Sequence, residues 1–219
     1  MAVPKTESSP MEGKKGGFVS APLVLQQAAN QALIGSSIFT GGYSYQVLAQ
    51  HSHFGPAALA LGALGLVPLL GFSRAVETSE SPKFAGLNIS TEAVMLRMFG
   101  DNPQPGLALG VTAFLATLTG LVEETIFRGQ LLPGLAQWSS TNLGVDGGVG
   151  VFCGAALSTI IFAALHANPL SFLSGSKEGI QDNLVLLAYQ LVTGGIFASL
   201  YVATGNLAVP IVAHALYDF

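Results

Sequence analysis

The chain has 219 residues, half of them hydrophobic and only 9% charged, with a formal net charge of −4. Soluble domains carry about 25% charged residues, so this composition excludes an ordinary soluble domain, and the small net charge gives no footing for nucleic acid. The single cysteine, Cys153, lies in an apolar run; it excludes an internal disulfide and any multi-cysteine metal site, and reads as a packing residue.

Residues 1–17 hold Lys5, Lys14, Lys15, two glutamates and two prolines with almost no apolar side chains, the composition of a disordered N-terminal arm. Residues 18–105 read as N-terminal membrane segments and a polar connector. The first segment, 18–50, mixes Leu23, Val24, Leu25, Leu33 and Ile34 with Gln26, Gln27, Asn30 and Gln31; it suits a span with one polar face turned inward or an interfacial helix, and is read as a span. His51 and His53 fall in a short polar break and read as solvated. Residues 56–72 carry no charge and are rich in Ala, Leu and Gly, which suits a close-packed span. The polar stretch 74–105 contains a predicted short amphipathic helix over 91–99, capped by Thr91 or Ser90. Asn88-Ile89-Ser90 matches a glycosylation acceptor, a pattern of low specificity.

Residues 106–138 would run about 50 Å as one helix against a bilayer core of about 30 Å. A break is expected, and Gly120 is the predicted place. Residues 139–148 read as a loop, 149–167 as a span stopped by Asn168-Pro169, 169–183 as a second loop and 184–203 as another span. Thr204-Gly205-Asn206 reads as a tight turn, and 207–219 as a final helix with Pro210 in its first turn. The expected fold is all-α, a polytopic transmembrane bundle of about six hydrophobic segments. Alternation places Arg74, Lys83, Arg97 and Lys177 on one side, while 139–148 and 204–206 carry no Lys or Arg, as the positive-inside rule requires.

The chemistry concentrates in LVEETIFRGQ, residues 121–130, which follows an uncharged run over 106–120. Buried charges cost several kcal/mol unless paired or used, roughly speaking. Glu124 and Arg128 are four apart in the favourable orientation for a helical ion pair. Glu123 projects about 100° away and has no local partner. One glutamate therefore reads as structural and the other as free for chemistry. Further on, His166 ends FAALH with Phe162 one turn before it, and His214 and Asp218 share a face in HALYD. Measured along the helices, Glu123 and His166 both lie about 25 Å from the 139–148 connection, whereas His214 lies only about 12 Å from its own turn.

Gly-x-Ser-x-Gly, HExxH and a Gly-rich phosphate loop are all absent from the sequence. A free carboxylate beside an imidazole suits general-base activation of water, and a second imidazole held by an acid suits stabilisation of an oxyanion. The same residues, two His and one Glu, also suit a divalent metal such as zinc. Two non-hydrolytic readings stand beside these: a membrane scaffold using the polar cluster for packing, and a proton-coupled transporter. Paired broken helices, which would favour the transporter, are not evident.

EETIFRG, FAALH and GNLAVPIVAHALYDF together resemble the three ordered motifs of the CAAX-protease and bacteriocin-processing family of intramembrane proteases (Rce1-like, or Abi): Glu-Glu-x-x-x-Arg, Phe-x-x-x-His and His-x-x-x-Asn/Asp. The resemblance covers residues 106–219 as a protease core. It implies an integral, multi-pass membrane endopeptidase acting on membrane-bound substrates, including prenylated CAAX proteins, in contact with membrane lipid and without nucleic acid. By the same resemblance, Glu123 and His166 would activate water, His214 and Asp218 would face the oxyanion, and Glu124 and Arg128 would support the site. No cofactor is implied beyond the metal alternative already given. Position 218 departs from the prenyl-protease branch, which carries Asn there. An ionised Asp accepts hydrogen bonds but donates none, so it must be protonated or must orient His214 instead. The chain stops one residue later, so the last helix is expected to be short and frayed.

Overall fold

A computed structural model describes residues 19–40, 49–167 and 177–219, together with the helical backbone at their margins. The N-terminal arm, the 168–169 stop signal and part of the second loop lie outside the described residues. The regular structure among the described residues is all helical, with no strand among them. We number the helices α1 (Ala21–Thr40), α2 (Pro56–Glu77), α3 (Pro82–Phe99), α4 (Pro105–Ile126), α5 (Leu132–Leu143), α6 (Gly147–His166), α7 (Lys177–Thr204) and α8 (Ala208–Asp218). A π-helical turn, Phe127–Leu131, joins α4 to α5.

Among the described residues, four helical stretches are long and apolar enough to cross a membrane: α2, the continuous α4–α5 rod over Pro105–Leu143, α6, and Ile180–Thr204 of α7. The chain is an integral multi-pass membrane protein. Of the six expected hydrophobic segments, α1 and α8 do not reach that standard. α1 is diluted by its amide side chains, and α8, with 11 residues, is only about 16 Å long. Leu61 and Leu64 on α2, Phe114 on α4, and Phe152, Ile160 and Leu165 on α6 are exposed, as apolar residues facing lipid must be.

Four boundaries differ from those expected. The long rod does not break at Gly120. It widens at the π-turn, and Gly120 instead lets α8 approach, because a Cβ there would stand 2.9 Å from the Ala215 nitrogen. α3 starts at Pro82, with proline supplying the first turn, so positions 90 and 91 are interior rather than capping. The 139–148 loop shrinks, since α5 runs on to Leu143 and ends at Gly144 in the left-handed region (φ 67°). Asp146 caps α6, its Oδ1 accepting from the Val149 N–H at 3.0 Å. Finally, α7 begins at Lys177, well inside the expected 169–183 loop.

α8 is the hub, wedged between α2 and α4 and also touching α7. Small residues allow this: Gly62 on α2 faces Val212, its added Cβ falling 2.7 Å from the valine Cβ, and Gly65 faces Ala213. Leu69, Phe197 and Ala213 form the shared core. α6 packs against α5 and α7 through a stripe at every fourth position, Gly150, Gly154, Ser158 and Phe162. The turn before α8 is held by residues on the same side of the bundle. Asn206 Oδ1 accepts from the His53 N–H at 2.9 Å, and the Leu207 N–H donates to the His51 carbonyl at 2.7 Å. With four crossings, Arg74, Lys83, Arg97 and Lys177 fall at one end, and 144–146 and 204–206 at the other.

Candidate active site

The site is built where the C-terminal end of α4 meets the end of α6 and the middle of α8. Its foundation is the expected helical ion pair. Arg128 Nη1 donates to Glu124 Oε1 at 2.9 Å, with both side chains fully buried. A guanidinium in such a place needs acceptors for its remaining N–H groups, and among the described residues its buried Nε has none. Nη2 donates to the Gly194 carbonyl at 2.7 Å, tying the π-turn to α7. The cation also lies over the Phe162 ring, 4.7 Å from its centroid, and 5.6 Å from that of Phe197. Gly194 has to be small, because a Cβ there would meet Phe162 at 2.9 Å and Arg128 Nη2 at 3.2 Å.

Glu124 does more than pair with Arg128. The same Oε1 accepts from His214 Nδ1 at 2.7 Å. This fixes the imidazole, which also stacks on Phe197 (centroids 4.4 Å apart, planes 13° from parallel). The other ring nitrogen, Nε2, lies 3.4 Å from Asp218 Oδ2 and 4.0 Å from Glu123 Oε2. Both nitrogens thus face carboxylates, and the imidazolium form satisfies both at once.

Glu123, 8% exposed, points the other way from Glu124, as helical geometry requires. Its Oε1 accepts from Gln31 Nε2 of α1 at 3.1 Å. Its Oε2 is buried with no hydrogen-bond partner among the described residues, 3.7 Å from His166 Nε2. The His166 ring packs on Phe162, and its Nδ1 lies 2.8 Å from the Phe162 carbonyl. A carbonyl only accepts, so Nδ1 carries a proton there, and Nε2 is the ring nitrogen that faces Glu123.

The structure therefore brings together all six residues singled out in the sequence: Glu123, Glu124, Arg128, His166, His214 and Asp218. His214 arrives despite the unequal depth measured along the helices. The α5–α6 hairpin is about 30 Å from Glu123, whereas the 204–206 turn is only about 10 Å from His214, so the two connections end at different levels. Sequence reasoning missed Gln31, Gly194 and Phe197. Gln31 leaves one trace, a polar residue in the packed stripe Val24, Ala28, Gln31 and Gly35. Among the described residues, no group of three or more His, Cys, Asp or Glu side chains has the arrangement of a metal site.

A cavity of about 790 Å³ adjoins the site, bordered by Gln31 of α1, Ser73 of α2, Met95 of α3, Leu115 of α4, Tyr189 of α7 and Asp218 of α8. Its volume falls in the usual range for ligand sites, roughly 300–1,000 Å³. At one wall the hydroxyls of Ser73, Tyr189 and Tyr217 hydrogen-bond to one another.

Comparison with known protein families gives a match to the family described as type II CAAX prenyl endopeptidase Rce1-like, over residues 105–219. Neither the curated proteins nor the solved structures gave a match. The matched region is more than half of the chain and contains the Glu-Glu-x-x-x-Arg, Phe-x-x-x-His and His-x-x-x-Asp residues gathered here, and the chain belongs to the Rce1-like family of type II CAAX prenyl endopeptidases.

Proposed function

We propose that the protein is an intramembrane endopeptidase in which Glu123 and His166 activate water for attack on a peptide carbonyl. The observation that carries this reading is the buried, unbonded Oε2 of Glu123, 3.7 Å from Nε2 of His166. In this reading the His166 ring is neutral, and two acceptors this close repel unless a donor stands between them. A water donating one hydrogen to each would keep a lone pair for the substrate carbon, with the carboxylate as general base. The imidazolium of His214, held through Nδ1 by Glu124, would offer its Nε2–H to the developing oxyanion. Asp218 would act on His214 rather than on the oxyanion: an ionised carboxylate has no proton to donate, and its Oδ2, 3.4 Å from Nε2, would favour the imidazolium until the oxyanion takes over the Nε2–H. Collapse of the tetrahedral intermediate returns the proton from Glu123 or His166 to the leaving amine. Glu124 and Arg128 hold this frame.

The substrate would be a membrane-bound protein segment, a prenylated CAAX-type terminus among the candidates, entering through the cavity of about 790 Å³. Its walls combine apolar side chains such as Met95, Met98 and Phe99 with the amides of Gln27 and Gln31, which suits a peptide carrying an apolar group. The test is cleavage of farnesylated and unmodified peptides by the protein in proteoliposomes, with and without chelator. The reading predicts cleavage that survives chelation and is lost in His166→Ala. Cleavage that disappears on chelation and returns with zinc would replace it with a metal-bound water held by Glu123, His166 and His214. No cleavage of any peptide by wild type would leave a scaffold.

A further inference from the structure

α1 lies outside the family-matched region, yet it supplies a partner to the central carboxylate. Val24, Ala28, Gln31 and Gly35 recur at spacings of four, three and four and form its packed or partly packed stripe, while Leu25, Leu33 and Ile34 face outward. Gly35 sits on Val122, where an added Cβ would be 3.3 Å from the valine Cγ2, so the contact places α1 one residue from Glu123. An amide in that stripe costs free energy unless its polar atoms are used. Gln31 Nε2 donates to Glu123 Oε1 at 3.1 Å, across 92 residues of sequence. Its own oxygen is buried without a partner among the described residues. An ionised carboxylate only accepts, so the NH₂ end must face Glu123.

We infer that Gln31 is a positioning residue for Glu123, tying down Oε1 so that Oε2 alone faces His166. The inference rests on the hydrolase reading for its consequence but not for its contact. Other groups act on the same carboxylate: His166 from α6 at 3.7 Å and His214 from α8 at 4.0 Å, with Glu124, Arg128 and Asp218 behind them. Among the described residues, only Gln31 hydrogen-bonds to Glu123 through a side chain that does not titrate. Removing it therefore frees Oε1 to turn without removing a charge.

The experiment uses wild type, Gln31→Met and Gln31→Asn in detergent, with two readouts. The first is the infrared carboxyl band that disappears in Glu123→Gln, whose position reports the hydrogen bond on Oε1. The second is the split between kcat and KM for peptide cleavage. The inference predicts that the band moves in Gln31→Met and that kcat falls about tenfold or more with KM nearly unchanged, because a misplaced base costs rate rather than binding. Gln31→Asn keeps the amide on a shorter stem and should recover part of both. An unmoved band with kcat within about twofold of wild type in Gln31→Met would overturn the inference, even if the variant were less stable. Wild type without peptidase activity would end the hydrolase reading, and the infrared band would still decide the role of Gln31.

Discussion

Replacing Arg128 by methionine keeps most of the side-chain volume and removes the guanidinium bonded to Glu124. Glu124 would stay fully buried, with one oxygen already unbonded and the other bonded only to His214. The Gly194 carbonyl would lose the donor now 2.7 Å away. Breaking one side of a buried ion pair costs about 3–5 kcal/mol. The lost stacking over Phe162 adds about 0.5–2 kcal/mol. Against a total stability of roughly 5–15 kcal/mol, that is enough to halve it or worse. The double variant Glu124→Met with Arg128→Met removes both charges and should recover at least half of that loss, since an apolar pair of similar size has no desolvated ion left over. Equilibrium unfolding in mixed micelles, followed by circular dichroism, measures all three changes. Arg128→Met within about 1 kcal/mol of wild type would refute the claim that this pair is dry and tightly held, which is the value expected of a surface bridge. A double variant less stable than Arg128→Met would show that the loss comes from packing instead.

Four other outcomes follow from the geometry. Gly120→Ala puts a methyl 2.9 Å from the Ala215 nitrogen and should cost about 1–3 kcal/mol by overpacking, with cleavage falling as α8 and His214 move away from Glu124; an unchanged melting temperature would contradict it. Gly194→Ala should destabilise by a similar amount, because its methyl would meet Phe162 at 2.9 Å, and wild-type thermal stability would show that α7 yields there. Asp218→Asn keeps an oxygen for His214 and should retain kcat within about tenfold, whereas Asp218→Leu should lower it by about a hundredfold; equal rates for the two would remove Asp218 from the site. Tyr217→Phe breaks the three-hydroxyl cluster on the cavity wall and should lower stability by about 0.5–1.5 kcal/mol, with no change in unfolding midpoint as the contrary result.

The parts of the site that lie within one helical turn were readable before any coordinates. Glu124 with Arg128, and His214 with Asp218, follow from a spacing of four, and helical geometry alone turns Glu123 away from Glu124. The opposite holds for contacts that cross the bundle. Gln31 reaches Glu123 across 92 residues, and Arg128 reaches the Gly194 carbonyl across 66. A lone glutamine and a backbone oxygen carry no periodic signal. Gly120 was misread for a related reason. A glycine in an apolar helix looks like a place to bend, but this one is a place to be touched, and only the position of α8 tells the two apart. The π-turn at Phe127–Leu131 left no pattern either, although the excessive length of 106–138 did announce some irregularity. α3 was read too short because Lys83, Asn88 and Ser90 dilute its apolar period, while the proline at its first position was the better guide. The bundle itself, with its apolar outer faces, was plain from composition and hydropathy.

The central claim is that Glu123 is the base of a water-activating pair, and Glu123→Gln tests it most directly. The substitution is isosteric, and the new amide can still meet Gln31. In proteoliposomes supplied with the peptide that wild type cleaves best, kcat should fall to the background rate while the unfolding midpoint stays near that of wild type. A folded Glu123→Gln protein that still cleaves within about tenfold of wild type would contradict the account, because general-base catalysis contributes about a hundredfold or more.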